Sequence, residues 1–350
     1  MLRSYFKKNK IFSIVSFIFF ALLMVLTIFV GETPFQADSP GYIYGAITRD
    51  PAYPLLISMF EFIFSENFVL PLLVFQNLLV TFAMWSFTLC LSEIFKLNKI
   101  LTTTCLVGFF GMLSCFVFLS LSHSVLTSTI LVEGVTISLF FIVLKYLLIA
   151  ITQRQLKPLL FAAIFIFIAI LTRFQMAYLL VLWLIVAIYV SLCNKSFKKN
   201  ILIFLFTFIA IFVGTSLGAK TYHYIMNDHF VSTQFKDTSF MAKLIFISDE
   251  NDKNLFAKNS TEQKCFDEIY SRAKTQEILK SNADKGFTNS FLQFEYSYDK
   301  ILYGNILPIL NKYALENDPN ANETDIRIFE EKLASNFNGV LLKDNFASYI

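Results

Sequence analysis

The sequence predicts an all-α polytopic membrane protein with about seven transmembrane helices. An interfacial helix lies in its first external loop, and a mainly helical external region follows at the C-terminus. Three observations predict this class. The 350-residue chain is 56% hydrophobic and 16% charged, whereas a soluble domain is about 45–50% apolar and about a quarter charged. Up to Lys220 there are only seven acidic residues (Glu32, Asp38, Asp50, Glu61, Glu66, Glu93 and Glu133), and the other nineteen follow it. The bases before Lys220 gather in short segments between apolar runs, as in a membrane protein. The net charge of +3 therefore does not point to nucleic acid.

Taken in order, Arg3, Lys7, Lys8 and Lys10 precede residues 11–30, which carry no charge. Twenty helical residues rise about 30 Å, the thickness of a hydrocarbon core. The run is longer than a signal-peptide core and lacks a small-x-small cleavage site, so it reads as an uncleaved first helix with a cytoplasmic N-terminus. Residues 52–64 are apolar but number only thirteen and are interrupted by Glu61. That is too short to cross, and it reads as interfacial or re-entrant. Further spans are expected at 69–91, 100–119, 126–150, 158–172, 176–192 and 201–218. Alternating through them leaves Lys96 and Lys99, then Arg154 and Lys157, then Lys195, Lys198 and Lys199 on the cytoplasmic side. Counting 52–64 as a crossing would put every one of these clusters outside, against the positive-inside rule.

The chain thus divides into a transmembrane domain, 1–219, with an external loop at 31–68, and an external soluble domain, 220–350. In the second part, residues 261–281 read as an amphipathic helix capped by Ser260 or Thr261, with Phe266, Ile269, Tyr270, Ala273 and Ile278 on its apolar face. Residues 325–342 read similarly, with Ile326, Ile328, Phe329 and Leu333. Asn317-Asp318-Pro319-Asn320 reads as a turn, and 225–258 as irregular. Cys90, Cys105, Cys115 and Cys193 sit in or at the ends of apolar runs, and Cys265 stands alone, so neither a disulfide framework nor zinc spacing follows. The pattern suits an integral protein of a bacterial inner (plasma) membrane, N-terminus inside and C-terminal region outside.

Several chemistries are missing. No glycine loop fits a phosphate, and Gly108 and Gly111 read as a packing feature. His123, His223 and His229 are too scattered for zinc, and no serine-hydrolase or thiol-protease pattern occurs. What stands out is the stretch 31–54, GETPFQADSPGYIYGAITRDPAYP. Its Asp38 reads as a general base or equally as an N-cap before Ser39-Pro40. Asp50, before Pro51, has the same capping alternative, which is favoured there. Arg49 and Arg173 are candidate phosphate binders, since guanidinium forks match phosphate oxygens. The bland alternative for Arg173 is a snorkelling base at a hairpin turn. Glu133, eighth residue of 126–150, should face a wet cavity or a partner. Arg173 is the expected partner, and Lys145 is expected to reach the cytoplasmic interface instead. The alternative for Glu133 is a protonated acid bonded within the bundle. His123 would lie on an outer turn near the same mouth.

At these residues the chain resembles the C-type superfamily of integral-membrane glycosyltransferases (GT-C), in its protein O-mannosyltransferase and aminoarabinose transferase branch. The resemblance rests on Asp38-Ser39-Pro40-Gly41-Tyr42, on Arg49-Asp50-Pro51-Ala52-Tyr53-Pro54-Leu55-Leu56, on Val132-Glu133 and on Leu171-Thr172-Arg173, in that order. It implies that Asp38 is the catalytic acidic residue and that Tyr42, Arg49, Asp50, Tyr53, Glu133 and Arg173 line the substrate site. It further implies inverting transfer of a sugar from a polyprenyl phosphate to an acceptor hydroxyl on the external face. The partners are then a lipid-linked sugar donor, a glycan, lipid or protein acceptor, and membrane lipids, with no nucleic acid. The cofactor is left open, with a divalent cation, Mg or Mn, as the candidate. Two departures stand against the pattern. Ser39 occupies the place of a second acidic residue, and the helices that usually follow the external block are missing, so the chain reads as a fragment, a short variant or half of a site completed by a partner. The competing readings are a polysaccharide polymerase or ligase and a non-enzymatic membrane scaffold or transporter subunit.

Overall fold

Helix is the only regular structure among the described residues, of which 82% are helical with no strand. The computed structural model describes residues 6, 8–30, 33–119, 125–193, 197–283 and 286–349, with side chains at 114–119, 126, 197–199, 287 and 344–349 left out. His123 lies outside them. The chain forms two units, Met1–Ser232 and Thr233–Ile350.

In the first unit, α1 (Lys10–Leu26) ends in a 3-10 turn, Thr27–Phe29, and the short α2 (Ser39–Ile43) follows. Then come α3 (Ala52–Phe64), α4 (Val69–Ile94), α5 (Lys99–Leu119), α6 (Glu133–Gln153), α7 (Leu156–Thr172), α8 (Tyr178–Leu192) and α9 (Phe197–Asn227). Five stretches are long and apolar enough to cross a membrane: Lys10–Phe29, Val69–Ile94, Glu133–Gln153, Phe174–Leu192 and Asn200–Asn227. Lys99–Leu113 and Leu156–Thr172 are apolar but shorter. Helix α3 has the thirteen residues expected, or about 20 Å of rise, too little to traverse a hydrocarbon core. It buries Tyr53, Ile57 and Phe60 and exposes Leu55, Met59 and Phe62, which is the three-and-four spacing of one packed face.

Helix α6 is the centre of this unit, packed against α4 on one side and α7 on the other. One apolar cluster runs through Ile57, Leu72, Leu139, Ala162, Ile166 and Trp183, and Trp183 Nε1 donates to the Leu159 carbonyl at 2.9 Å. A second joins α1, α4, α5 and α6 through Phe20, Met84, Phe110 and Phe141, with Phe20 and Phe110 stacked at 4.4 Å.

Three expectations for this unit change. Helix α6 starts at Glu133, because 126–132 is a 3-10 turn followed by bends and a turn. Glu133 therefore opens its helix instead of lying eight residues inside one. Lys145 does not reach an interface: it is 8% exposed, and its Nζ donates to Ser86 Oγ at 3.2 Å between the Phe82 and Tyr146 rings. Gly108 and Gly111 have open space beside them, so among the described residues they are not packing contacts.

Helix α9 continues to Asn227, past the expected end at 218, and the unit boundary follows Ser232. The second unit contains α10 (Lys236–Ile247), α11 (Thr261–Thr275), α12 (Phe287–Ile301), a π-turn at Leu302–Ile306, α13 (Leu307–Asn317) and α14 (Glu323–Tyr349). Ser260 caps α11 by accepting from the Gln263 N–H at 3.1 Å, and Phe266, Ile269, Tyr270 and Ala273 are buried. That helix stops at Thr275, so the buried Ile278 lies beyond it. Helix α10 lies within the segment, 225–258, expected to be irregular. Its start is held by Glu331 of α14, whose carboxylate accepts from the N–H groups of Asp237 (2.7 Å) and Thr238 (3.1 Å). A remote carboxylate therefore does what a local cap would do, and nothing in 225–258 itself announces it.

Candidate functional site

The loop between α1 and α3 is stitched to the segment before α6. Ile130 N–H donates to the Pro34 carbonyl at 2.8 Å, and the buried Ser39 Oγ donates to the Ile130 carbonyl at 2.9 Å. Ser39 also accepts from the Gln36 N–H at 2.8 Å. Ser39, not Asp38, thus supplies the local bonds at the start of α2, and the Asp38 side chain makes no capping bond.

Asp38 instead pairs with Arg49, Oδ1 to Nη2 at 2.7 Å, with side chains 54% and 20% exposed respectively. The Arg49 guanidinium lies over the Tyr42 ring at 4.7 Å. This approach depends on Gly41, because a Cβ there would stand 2.8 Å from Arg49 Nε. Tyr42 meets Tyr53 edge-on at 5.2 Å, and Tyr53 Oη donates to Gln76 Oε1 at 2.6 Å.

A second ion pair faces the same group. Arg173 Nη1 donates to Glu133 Oε1 at 2.7 Å, with side chains 40% and 26% exposed. Glu133 lies in the first turn of α6, where the exposed N–H groups of a helix favour a negative charge. Its Oε2 is buried with no hydrogen-bond partner among the described residues. Asp50 also reaches this end: its Oδ2 accepts from the Phe174 N–H at 2.8 Å, which fixes the 3-10 turn Phe174–Ala177 directly after Arg173. Tyr42 stands in the field of Asp38, Arg49, Glu133 and Arg173 together. All seven residues singled out by the sequence are therefore gathered at one end of the first unit.

Electrostatics follow from that crowding. Burial pushes the Tyr42 hydroxyl up to about 12; Arg49 opposes the shift, and Glu133 and Asp38 add to it. Burial also drives Tyr53 well upward, reinforced by Tyr42 and Glu133. For Arg49, burial alone would lower the pKa, but Tyr42 and Asp38 more than compensate and it rises. Both phenols thus stay protonated at neutral pH and Arg49 stays charged.

Beneath the charges is a polar floor that sequence reasoning missed. Gln76 Nε2 donates to the Thr129 carbonyl at 3.2 Å and Asn77 Nδ2 to the Thr127 carbonyl at 3.2 Å, while Thr127 Oγ1 donates to Asn77 Oδ1 at 2.9 Å. Ser128 and Thr27 hydroxyls meet at 2.7 Å. These bonds satisfy the Thr127 and Thr129 carbonyls, which would otherwise be costly to bury. The signal was available: Gln76-Asn77 is a pair of adjacent amides inside an apolar run.

The donor set does not favour a divalent cation. Asp38 and Glu133 each hold an arginine, and no group of three His, Cys, Asp or Glu side chains is gathered for a metal among the described residues. The arrangement suits an anion instead, with the Arg49 and Arg173 guanidinium groups near the neutral Tyr42 phenol. A scan against protein-family models and searches of curated proteins and of solved structures return no match for this chain.

Proposed function

We propose that this chain is a glycosyltransferase that moves a sugar from a polyprenyl phosphate to an acceptor hydroxyl, with inversion, at the outer mouth of its helical bundle. The supporting observation is the convergence of Asp38–Arg49 and Arg173–Glu133 around Tyr42. In the reaction, the acceptor oxygen attacks the anomeric carbon and the bond from that carbon to the phosphate oxygen breaks. The free Oδ2 of Asp38 takes the acceptor proton, and polyprenyl phosphate departs with the bonding electron pair. Arg173, 40% exposed, meets the phosphate charge, because a half-open guanidinium can add a phosphate oxygen to the carboxylate it already holds. Arg49 orients Asp38.

The reading includes seven crossings, the five long helices together with α5 and α7. It also includes the basic clusters on the cytoplasmic side and Thr233–Ile350 on the external side of a bacterial plasma membrane. Asp38→Asn tests the chemistry. Losing a general base lowers turnover by about 100- to 10,000-fold, with membrane insertion and expression unchanged. Transfer assays with purified chain and a radiolabelled lipid-linked sugar measure this. Activity retained within about threefold would leave Asp38 as a pin for the loop and not the general base.

A further inference from the structure

Helix α4 begins beside the site, with Gln76 bonded to Tyr53, and runs for 26 residues to Ile94, a rise of about 39 Å. At its far end the chain turns into α5 and meets the start of α1. There a cavity of about 600 Å³ opens, lined by Lys8, Lys96 and Lys99 with Asn9 and Asn98, and by one carboxylate, Glu93. None of the three lysines forms an ion pair among the described residues. Lys96 sits at φ 52°, the left-handed position after a helix end that glycine usually takes. The turn is closed by Leu97 N–H bonding the Ser92 carbonyl at 2.9 Å. Beside this cationic hollow, Ile11, Phe95 and Ile100 are 80%, 62% and 77% exposed.

We propose that this hollow binds the phosphate headgroup of an anionic phospholipid, with the acyl chains lying along the apolar residues at its rim. Three amines that form no ion pair among the described residues, set where apolar helices end, match a headgroup phosphate. Basic pockets between membrane helices recognise such lipids in the same way. Polar helix ends alone would not need a concavity. The inference needs α1 and α4 to lie in a membrane and is independent of the glycosyltransferase reading.

Native mass spectrometry of the full chain in detergent, titrated with phosphatidylglycerol or phosphatidylcholine, tests it. Retention of phosphatidylglycerol over phosphatidylcholine is expected. Combined Lys8→Gln, Lys96→Gln and Lys99→Gln should weaken that retention by roughly a hundredfold, given the usual attraction per base. A control with Arg154→Gln and Lys157→Gln, outside the hollow, should leave it unchanged. Equal loss in both variants, or no loss in the first, overturns the site. Displacement of phosphatidylglycerol by millimolar inorganic phosphate would mean that the hollow takes free phosphate and not lipid, and also overturns the proposal. Lys96→Gly guards against misfolding of the triple variant. Glycine suits that backbone, so its melting temperature without lipid should not fall, while the upward shift given by phosphatidylglycerol should shrink. An undiminished shift counts against the proposal.

Discussion

Asp38 and Arg49 form a pair that is more than half open on the carboxylate side, and such pairs add only about 0–1 kcal/mol to stability. Their removal should therefore register in turnover far more than in folding. Arg173→Lys keeps the charge but loses the planar fork. It should raise the KM for the lipid donor by about tenfold, one hydrogen-bonded contact's worth, with a smaller change in kcat, as read from steady-state transfer kinetics. Glu133→Gln should be milder, since it weakens only the orientation of Arg173. Tyr53→Phe acts on stability instead. It strands the buried Gln76 Oε1, a loss of about 1–3 kcal/mol, seen as a lower thermal midpoint of the purified chain. The pairing of Glu133 with Arg173 was legible in the sequence, because an acid within an apolar run has few other partners. The partner of Asp38 was not legible, because capping and ion pairing demand the same residue at the same place.

Among the elements, α3 could be read to the residue: the Pro51–Pro54 start and the Ser65-Glu66-Asn67 stop bracket it in the sequence. The opening of α6 could not. The apolar character of residues 126–132 imitates a helix, while their Thr and Ser hydroxyls and the amides of Gln76 and Asn77 stabilise a path of bends and turns. Helix α10 was missed for the reason given by Glu331, a cap more than ninety residues away in sequence. One turn makes a direct test. Gly45 has φ +60°, its carbonyl accepts from Asn227 Nδ2 at 3.3 Å, and a Cβ there would lie 2.6 Å from the Tyr222 hydroxyl. Gly45→Ala should therefore destabilise by about 1–2 kcal/mol from the left-handed backbone, plus the clash. Adding Tyr222→Phe should recover only the clash, so thermal unfolding of single and double variants separates the two.

At the scale of the whole molecule, the chain divides after Ser232, twelve residues beyond the composition break at Lys220; neither that break nor the apolar runs set the number of crossings. The second unit carries its own pH signature. Burial raises Glu330 and Glu331 above the usual glutamate range, against Arg327 for the first and the Asp237 and Thr238 N–H groups for the second. A raised folded-state pKa favours the protonated form in the fold. The associated stability is fully present below the unfolded value and is lost as pH rises through the folded values. Hydrogen exchange in α10 and α14, corrected for intrinsic rate, should thus slow at mildly acidic pH relative to neutral. Glu330→Gln should flatten that dependence, and an unchanged slope would exclude Glu330 as its source.

The stitching of Pro34 and Ser39 to Ile130 has a bearing on traffic. A segment tied down by both the N–H and the carbonyl of one residue cannot swing aside like a hatch, so Asp38 keeps its place whatever approaches its open face. Deuterium uptake at the Ile130 amide should accordingly stay slow whether or not a lipid-linked sugar is present.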